Sequence, residues 1–208
     1  MQILFGGTFD PVHNGHVAMI DALSSAFPDA AVHVIPNRLP PHRQTVASSR
    51  HRLEMLQRVF GEQSQVQVNC IEMERAGPSY SVDTLAAFRQ NIGPHEPLIL
   101  ALGADAAAGL GRWHRPEVIA GLAHVCVLDR AGETADLPSV MDALVETDDA
   151  HQLETTPSGY VFRLKTPVVL VSSTAVREKL QLGATQLPVP DVIADYIHTH
   201  RLYRNLND

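Results

Sequence analysis

Cysteine, aromatic residues and long apolar runs are scarce in this chain of 208 residues. Its two cysteines, Cys70 and Cys126, lie far apart in apolar segments, which excludes a disulfide framework, and no Cys or His spacing is typical of zinc. No run of about twenty apolar residues is present, and Asp10 and His13 interrupt the apolar start. The composition therefore predicts a cytoplasmic protein with neither a signal peptide nor a membrane span.

Positive charge is scarce as well. The chain has 16 Lys and Arg against 23 Asp and Glu, which gives a net charge of −7. This balance argues against general binding to nucleic acid or to an anionic membrane. Repeats and low-complexity linkers are absent, so the sequence predicts one globular domain over residues 1–208, large enough for its own core.

Apolar runs of strand character alternate with helical patterns along the chain. The predicted strands are Ile3–Gly6, Ala31–Ile35, Val66–Ile71, Leu98–Leu102, His124–Leu128, Tyr160–Leu164 and Val168–Val171. The predicted helices are Asn14–Phe27, Ser48–Phe60, Ser81–Asn91, Pro116–Leu122, Ser139–Val145, Thr174–Leu182 and Asp191–His200. This alternation predicts an α/β fold with a doubly wound, mostly parallel sheet. The short link after Tyr160–Leu164 favours one antiparallel edge strand, and residues 131–158 are expected to form surface loops around one helix.

The segment GGTFDPVHNGH at residues 6–16 joins the first predicted strand to the first helix. Its glycines let the backbone approach an anion, and a helix N-terminus offers N–H donors and a positive dipole end. The hydroxyl of Thr8 can bond a phosphate, and the spacing of His13 and His16 places both on one face of the helix start. The pattern favours phosphate chemistry. A structural turn with a capping histidine, and a metal site completed by Asp10, are the alternatives.

A second segment, SSTAVR at residues 172–177, also begins a helix. Ser173 or Thr174 is a natural N-cap, and Gly183 is a natural C-terminal stop. Arg177 in the first turn opposes the helix dipole at a cost of about 0.3–1 kcal/mol, which a bound anion would reverse. The alternative is a capped helix with a solvated arginine.

Two more segments follow predicted strands, where ligands of open α/β sheets bind. Asp105, in Gly103-Ala104-Asp105, is either an N-cap or an acceptor for ribose hydroxyls. Trp113, the single tryptophan, lies between polar residues and favours stacking on a ligand ring. The proline-stiffened loop 36–43 is the most basic loop of the chain, and its cations either bind phosphate or are solvated.

These segments together resemble a known family. GGTFDPVHNGH is similar to the signature of nucleotidyltransferases that share the H-x-G-H element with class I aminoacyl-tRNA synthetases, and SSTAVR resembles their second signature. IPNRLPPHR at 35–43, GPSYSVDTL at 77–85 and GAD at 103–105 with Trp113 resemble bacterial nicotinate-nucleotide adenylyltransferases in particular. The resemblance runs from residue 2 to about residue 203. The chain departs from the family at Ser81, where threonine is common, and at Ala106, where serine is common.

The resemblance implies transfer of AMP from ATP to nicotinate mononucleotide, which gives deamido-NAD and pyrophosphate in NAD biosynthesis. It implies Mg²⁺ held mainly by the ATP phosphates, with no metal site of protein ligands. The protein is expected to act as a monomer or a homodimer. The alternatives are an adenylyltransferase that uses nicotinamide mononucleotide or phosphopantetheine, and a noncatalytic nucleotide-binding regulator.

The resemblance also implies residue roles. The expected catalytic residues are His16, which would donate to the α-phosphate of ATP, together with His13, Thr8 and Arg177. Other expected ATP contacts are Gly6, Gly7, Phe9, Gly103, Asp105, Ser173 and Thr174. The nicotinate ring would lie between Tyr80 and Trp113, and its carboxylate would meet the backbone N–H groups of Ser81 and His114. The candidates for the mononucleotide phosphate are Asn37, His42 and Arg43.

Overall fold

The computed structural model of the chain describes residues 1–40, 44–130 and 136–204. The strands of this part are β1 (Gln2–Gly7), β2 (Ala31–Pro36), β3 (Val66–Val68), β4 (Leu98–Gly103), β5 (His124–Arg130), β6 (Val145–Thr147) and β7 (Tyr160–Thr166). Its α-helices are α1 (Asn14–Ala26), α2 (Ser49–Phe60), α3 (Ile71–Glu74), α4 (Ser81–Ile92), α5 (Ala104–Ala108), α6 (Ile119–Leu122), α7 (Ala150–Thr155), α8 (Ser173–Gln181) and α9 (Asp191–Thr199). None of the helices in the described ranges is long and apolar enough to cross a membrane.

The seven strands form one sheet in the order β3-β2-β1-β4-β5-β7-β6, and all neighbours run parallel. The chain moves outward from β1 through β2 to β3, then crosses to β4 on the other side of β1. The strand order therefore reverses between β1 and β4, and such a switch point leaves a crevice at the carboxyl ends of the strands. The predicted doubly wound α/β fold is confirmed.

Alternate residues of the central strands supply the two faces of the core. Ile3 and Phe5 of β1 belong to the apolar cluster that packs against α1, α2, α8 and α9, whereas Leu4 belongs to the cluster under α4, α5 and α6. All three are almost fully buried. Burial on both faces is why these strands read as continuous apolar runs.

The strand predicted at Val66–Ile71 is shorter than expected. β3 ends at Val68, and the side-chain oxygen of Asn69 accepts a hydrogen bond from the Ile71 N–H at 3.0 Å. This local turn takes the chain out of the sheet and into α3, because an Asn side chain competes with the strand ladder for backbone donors.

The strand predicted at Val168–Val171 is wrong, and so is the antiparallel edge. Residues 167–172 form a loop in which Leu170 is 85% exposed and the Val171 N–H bonds to the Val169 carbonyl. β7 is an inner strand, parallel to both β5 and β6. Because Leu170 is not buried, this run does not form a strand with two buried faces, and the loop passes directly to α8.

The segment before β7 also differs from the prediction. The helix expected at Ser139–Val145 is only a 3₁₀ turn at Ser139–Met141, and it is followed by the edge strand β6 and by α7. β6 has just three residues and Val145 is 59% exposed, so its sequence carries little apolar periodicity. Residues 131–135 of the predicted loop lie outside the described part of the chain.

Candidate active site

The turn between β1 and α1 lies at the carboxyl end of the central strand. Phe9 is buried there with a left-handed backbone (φ 50°), and its ring lies beneath Gly7. A Cβ on Gly7 would lie 2.8 Å from the Phe9 ring, so this position needs glycine for packing. Gly6 is exposed, and a Cβ there would have its nearest contact at 3.9 Å. Open space above Gly6 leaves the backbone approachable by a ligand.

His13 and His16 begin α1 and lie on one face, as their spacing predicts. His13 is the N-cap, its Nδ1 accepts from the His16 N–H, and the His16 Nδ1 accepts from the His13 N–H, both at 3.3 Å. The two rings stack with centroids 3.6 Å apart. The capping interpretation of His13 is therefore correct, and the cap itself fixes both rings.

This capping pair also fixes the tautomers. Because each Nδ1 accepts from a backbone N–H, the proton of a neutral ring is assigned to Nε2. His16 is half-buried, and its ring packs edge-on against Phe9, with centroids 4.9 Å apart. The histidine pair can thus present donors in a fixed direction without needing a positive charge on either ring.

Asp10 does not complete a metal site with the histidines. Its carboxylate is buried and accepts from the Val46 and Ala47 N–H groups at 2.6 and 3.1 Å and from the Tyr203 hydroxyl at 2.7 Å. Burial and the nearby Asp10 charge raise the pKa of Tyr203, which keeps the phenol a donor. Asp10 thereby ties the turn to the entrance of α2 and to the C-terminal segment.

The start of α8 packs directly on the β1–α1 turn. The N-cap is Ser172, whose side chain accepts from the Ala175 N–H, so the cap predicted at Ser173 or Thr174 is one or two residues off. Ser173 Oγ donates to the Pro11 carbonyl at 2.9 Å. The two predicted phosphate segments therefore meet, although they are about 160 residues apart in sequence.

Arg177 adds a cation at this junction. Its guanidinium donates to the Asp10 carbonyl at 2.7 Å and to the Thr174 hydroxyl at 3.2 Å. Gly15 makes the close approach possible, because a Cβ there would lie 3.0 Å from Val171 and 3.1 Å from the His13 ring. Two helix N-termini, a histidine pair, hydroxyls and a guanidinium thus converge on one edge of the sheet.

Gly103 and Asp105 lie across the switch point, at the end of β4. Gly103 is the N-cap of α5 and a Cβ there would be 3.7 Å from Met19 of α1, so β4 ends beside the first helix. Asp105 is exposed in the first turn of α5 and is not the N-cap. The capping alternative for Asp105 is wrong, and the residue lies directly after the carboxyl end of β4.

The predicted ring site has a different partner in the structure. The Tyr80 ring stacks on the exposed His114 ring, with centroids 4.3 Å apart and planes at 26°. Trp113 is half-buried and packs against the apolar cluster under α4. Ser81 is the first residue of α4, directly after Tyr80, so its N–H belongs to a helix N-terminus. In the structure, His114 and not Trp113 is therefore the ring that stacks on Tyr80.

The loop after β2 is attached to the segment before α4. Asn37 Nδ2 donates to the buried Glu72 at 2.8 Å, and Glu72 also accepts from the Thr84 hydroxyl at 2.7 Å. The backbone N–H of Arg38 donates to the Ser79 hydroxyl at 2.9 Å. Asn37 is therefore held by a protein carboxylate, while His42 and Arg43 lie outside the described residues.

Arg52 is a buried cation that sequence reasoning missed. It lies on α2 in register with the buried residues Met55, Leu56 and Phe60, and its own exposed fraction is 0%. A charged residue at an apolar position of an amphipathic helix was the available signal. Its guanidinium bonds to carbonyls of the turn after β1 and of the loop after β2.

The donors at this end of the sheet suit an anion such as phosphate. The described ranges contain no group of three His, Cys, Asp or Glu side chains placed to hold a metal ion. A doubly wound sheet with two helix N-termini and these donors at its switch point is the arrangement of a nucleotide-binding α/β protein.

Comparison with known proteins identifies the family. The Cytidylyltransferase-like family model matches residues 4–179. A Dechloromonas aromatica protein named "Probable nicotinate-nucleotide adenylyltransferase" is 38% identical over 211 residues, covering 97% of each chain. A protein of the same name from Marinobacter nauticus is 35% identical over 208 residues, covering 98% of this chain and 96% of the relative. The chain therefore belongs to the Cytidylyltransferase-like family and, within it, to the nicotinate-nucleotide adenylyltransferases, and it is an enzyme.

A solved structure supports the fold independently. The nicotinic acid mononucleotide adenylyltransferase of Plasmodium falciparum, solved in complex with NaAD, superposes with a TM-score of 0.75 and covers 97% of this chain and 96% of its own. At 17% sequence identity, the likeness shows a shared fold.

Proposed function

We propose that the protein transfers the adenylyl group of ATP to nicotinate mononucleotide, with release of pyrophosphate, as a step of NAD biosynthesis. The observation that carries the proposal is the junction of α1 and α8, where the stacked histidines lie beside Ser173, Thr174 and Arg177. These groups all donate to anions, as a triphosphate requires. The names of the relatives supply the acceptor.

The proposed reaction needs alignment and charge stabilisation more than proton abstraction. An oxygen of the mononucleotide phosphate attacks the α-phosphorus of ATP, the bond to the bridging oxygen breaks, and pyrophosphate leaves with the electron pair. The nucleophile is already an anion, so no general base is required. The enzyme has to hold two anions in line and to stabilise the charge that develops on the leaving group.

His16 is the proposed donor to the α-phosphate. Its ring is fixed on one side by Phe9 and on the other by His13. Since Nδ1 accepts from the backbone, Nε2–H is the group that we propose donates to the phosphate. A fixed donor gains most when charge accumulates in the transition state, which makes His16 a catalytic residue in this proposal.

The N-terminus of α8 is the proposed site of the β- and γ-phosphates. Ser173, Thr174 and Arg177 supply hydroxyl and guanidinium donors, and the first turn supplies backbone N–H groups. Mg²⁺ is proposed to arrive with ATP and to neutralise phosphate charge, held mainly by phosphate oxygens and water. Gly103 and Asp105, across the switch point, are the proposed contacts for the adenylate ribose.

The acceptor is proposed to bind between the loop after β2 and the start of α4. The ring would lie between Tyr80 and Trp113 after His114 moves aside, with its carboxylate on the Ser81 and His114 N–H groups. Asn37, with His42 and Arg43, is proposed to receive the mononucleotide phosphate. The cytoplasmic location, and assembly as a monomer or a homodimer, stay predictions.

A panel of acceptors tests this function. Purified protein is incubated with MgATP and nicotinate mononucleotide, nicotinamide mononucleotide or phosphopantetheine, and pyrophosphate and the adenylylated product are quantified. The expected result is product with nicotinate mononucleotide at the highest kcat/KM. A higher kcat/KM with nicotinamide mononucleotide or phosphopantetheine would show that this compound, and not nicotinate mononucleotide, is the acceptor. If no pyrophosphate formed with any of the three, the result would favour a noncatalytic nucleotide-binding protein.

A further inference from the structure

Arg52 is buried at a cost that its helix does not explain. Its side chain has no exposed surface and lies on the face of α2 that packs on the core. A charged group in such a position is expensive unless it is paired and hydrogen-bonded. Burial lowers the pKa of Arg52, and the neighbouring charge of Asp10 only partly opposes this shift. The reason for burying this guanidinium therefore has to lie in the groups to which it donates hydrogen bonds.

The three carbonyls that Arg52 binds belong to two different loops. Its Nη1 donates to the Thr8 carbonyl at 2.8 Å and to the Asn37 carbonyl at 2.7 Å. Its Nη2 lies 3.4 Å from the Arg38 carbonyl and donates to it. Thr8 follows β1 and the other two residues follow β2, so one planar group joins the ends of adjacent strands.

Each of these loops carries one substrate in the proposed function. Thr8 precedes the histidine helix that faces ATP, and Asn37 opens the loop that faces the mononucleotide phosphate. Arg52 itself cannot touch either substrate, because it is fully enclosed. Its Nε is also buried, and no partner for it exists among the described residues. The contacts described for the guanidinium thus join two loops, although one of its N–H donors is unsatisfied.

We propose that Arg52 is a positioning residue that sets the distance between the ATP loop and the acceptor loop. The proposal rests on the proposed function, because it assigns one substrate to each loop. In-line attack depends on that distance, and a misplacement of about 1 Å can cost roughly 10²-fold in rate. Lysine cannot replace the guanidinium, since it lacks the planar fork that reaches both loops at once.

Arg89 on α4 provides a matched control. It is a half-buried guanidinium that also donates only to carbonyls among the contacts described for it, namely those of Gly93, Glu96, Leu122 and Pro157. These carbonyls precede β4, β5 and β7, at the amino ends of the strands. Both arginines therefore donate to backbone carbonyls, but Arg52 lies at the carboxyl ends of the strands and Arg89 lies at their amino ends.

The test compares Arg52→Lys and Arg89→Lys in the full-length protein. The expected result for Arg52→Lys is a kcat for dinucleotide formation about 10- to 100-fold lower, with each KM changed about threefold or less. For Arg89→Lys we expect a loss of stability with kcat within about threefold of wild type. Urea unfolding of both variants shows whether the kinetic difference exceeds any difference in folded fraction.

Arg52→Met is the second variant, because it fills the site without an unpaired charge and should show the same loss of kcat. Equal kcat losses in the Arg52 and Arg89 variants would overturn the inference, as would a change confined to one KM. Failure of both Arg52 variants to fold while Arg89→Lys folds would assign Arg52 to stability alone. Absence of dinucleotide with the wild-type protein would instead refute the proposed function.

Discussion

The two glycines at the end of β1 serve different needs. Gly7 has the Phe9 ring against it, while Gly6 has open space at the edge of the sheet. We expect Gly7→Ala to lower the free energy of unfolding by about 1–3 kcal/mol through overpacking. We expect Gly6→Ala to keep stability within about 0.5 kcal/mol and yet to weaken ATP binding, because the methyl group occupies the ligand side.

Urea unfolding and ATP titration of the two variants check this pair. The opposite pattern, with Gly6→Ala unstable and Gly7→Ala impaired only in ATP binding, would show that the open side of the turn does not face the nucleotide. Equal ATP affinity of Gly6→Ala and wild type would remove Gly6 from the site.

His16 is expected to act on the transition state more than on bound ATP. Its ring is held in place by His13 and Phe9, so it needs little rearrangement to meet developing charge. We predict that His16→Ala lowers kcat by about 10²–10³ while the affinity for ATP changes far less. Steady-state kinetics and equilibrium binding measure the two quantities, with His151→Ala, an exposed histidine on α7, as control. A change in KM alone would disprove the role.

Arg177 is expected to serve ATP and not the acceptor. The polyphosphate is the ligand that would compete for its guanidinium, which now lies on the Asp10 carbonyl and the Thr174 hydroxyl. We predict that Arg177→Ala raises the KM for ATP at least tenfold and leaves the acceptor KM within about threefold. Lys179→Ala, at the far end of α8, is the matched control. Weaker acceptor binding with unchanged ATP kinetics would show that Arg177 contacts the acceptor and not ATP.

At the scale of elements, two buried histidines make the strand framework sensitive to acid. His124 at the start of β5 accepts from the Tyr160 N–H through Nδ1, and its Nε2 lies 2.8 Å from the Thr156 carbonyl. This arrangement requires the neutral ring. Burial lowers the pKa of both His124 and His33 of β2. The folded protein therefore binds fewer protons than the unfolded chain just below the ordinary histidine pKa.

We predict that stability falls with pH in this window. Because the unfolded histidines titrate near pH 6.5 (about their ordinary value) and the folded ones titrate lower, stability is lost as the pH drops below about 6.5. Urea unfolding between pH 7.5 and pH 5.5 measures this loss in the free energy of unfolding at pH values above those at which most carboxylates titrate. The pH dependence should be smaller in His124→Gln and unchanged in His151→Gln. A flat profile for wild type would contradict the prediction.

The helices and strands that were predicted accurately from the sequence are those in which at least one face is fully buried. β1, β4 and β5 and helices α1, α2 and α9 have continuous or periodic apolar residues, and their bounds differ from the prediction by at most two residues. Periodicity failed where the element was short or its surroundings decided the outcome. Among the described strands β6 pairs only with β7, and Leu170 is apolar but exposed, so neither segment could be assigned from its own pattern.

At the scale of the whole molecule, the predicted phosphate segments do meet in space. Motifs with local chemistry, such as the histidine helix and the start of α8, could be found in the sequence because glycine, hydroxyl and basic residues mark them. The contacts of Arg52, Glu72 and Tyr203 could not be predicted, since each residue binds a partner more than ten residues away in the sequence. The stacking of Tyr80 on His114 could not be predicted either, because the two residues are far apart in the sequence and meet only in the folded chain.

The assembled acceptor site is expected to distinguish a carboxylate from a carboxamide. Backbone N–H groups at Ser81 and His114 would form charge-assisted bonds with nicotinate, whereas the amide would turn its own N–H groups toward donors. We predict a kcat/KM for nicotinate mononucleotide about 10²–10⁴ higher than for nicotinamide mononucleotide.

The variant Trp113→Ala should weaken both acceptors similarly, because stacking does not sense the amide. Urea unfolding of the variant is needed alongside, since Trp113 also packs against the core. Equal wild-type efficiency with both mononucleotides would contradict recognition by backbone donors, and a changed ratio in Trp113→Ala would show that the ring itself contributes to the selection.

The fate of the ATP phosphates tests the central claim most directly. The wild-type protein is incubated with nicotinate mononucleotide and MgATP labelled with ³²P either at the α- or at the γ-phosphate, and the products are separated. Adenylyl transfer predicts that the α label appears in the dinucleotide and the γ label in pyrophosphate, in equal amounts. Transfer of the γ label to the acceptor, or its release as inorganic phosphate, would contradict the account.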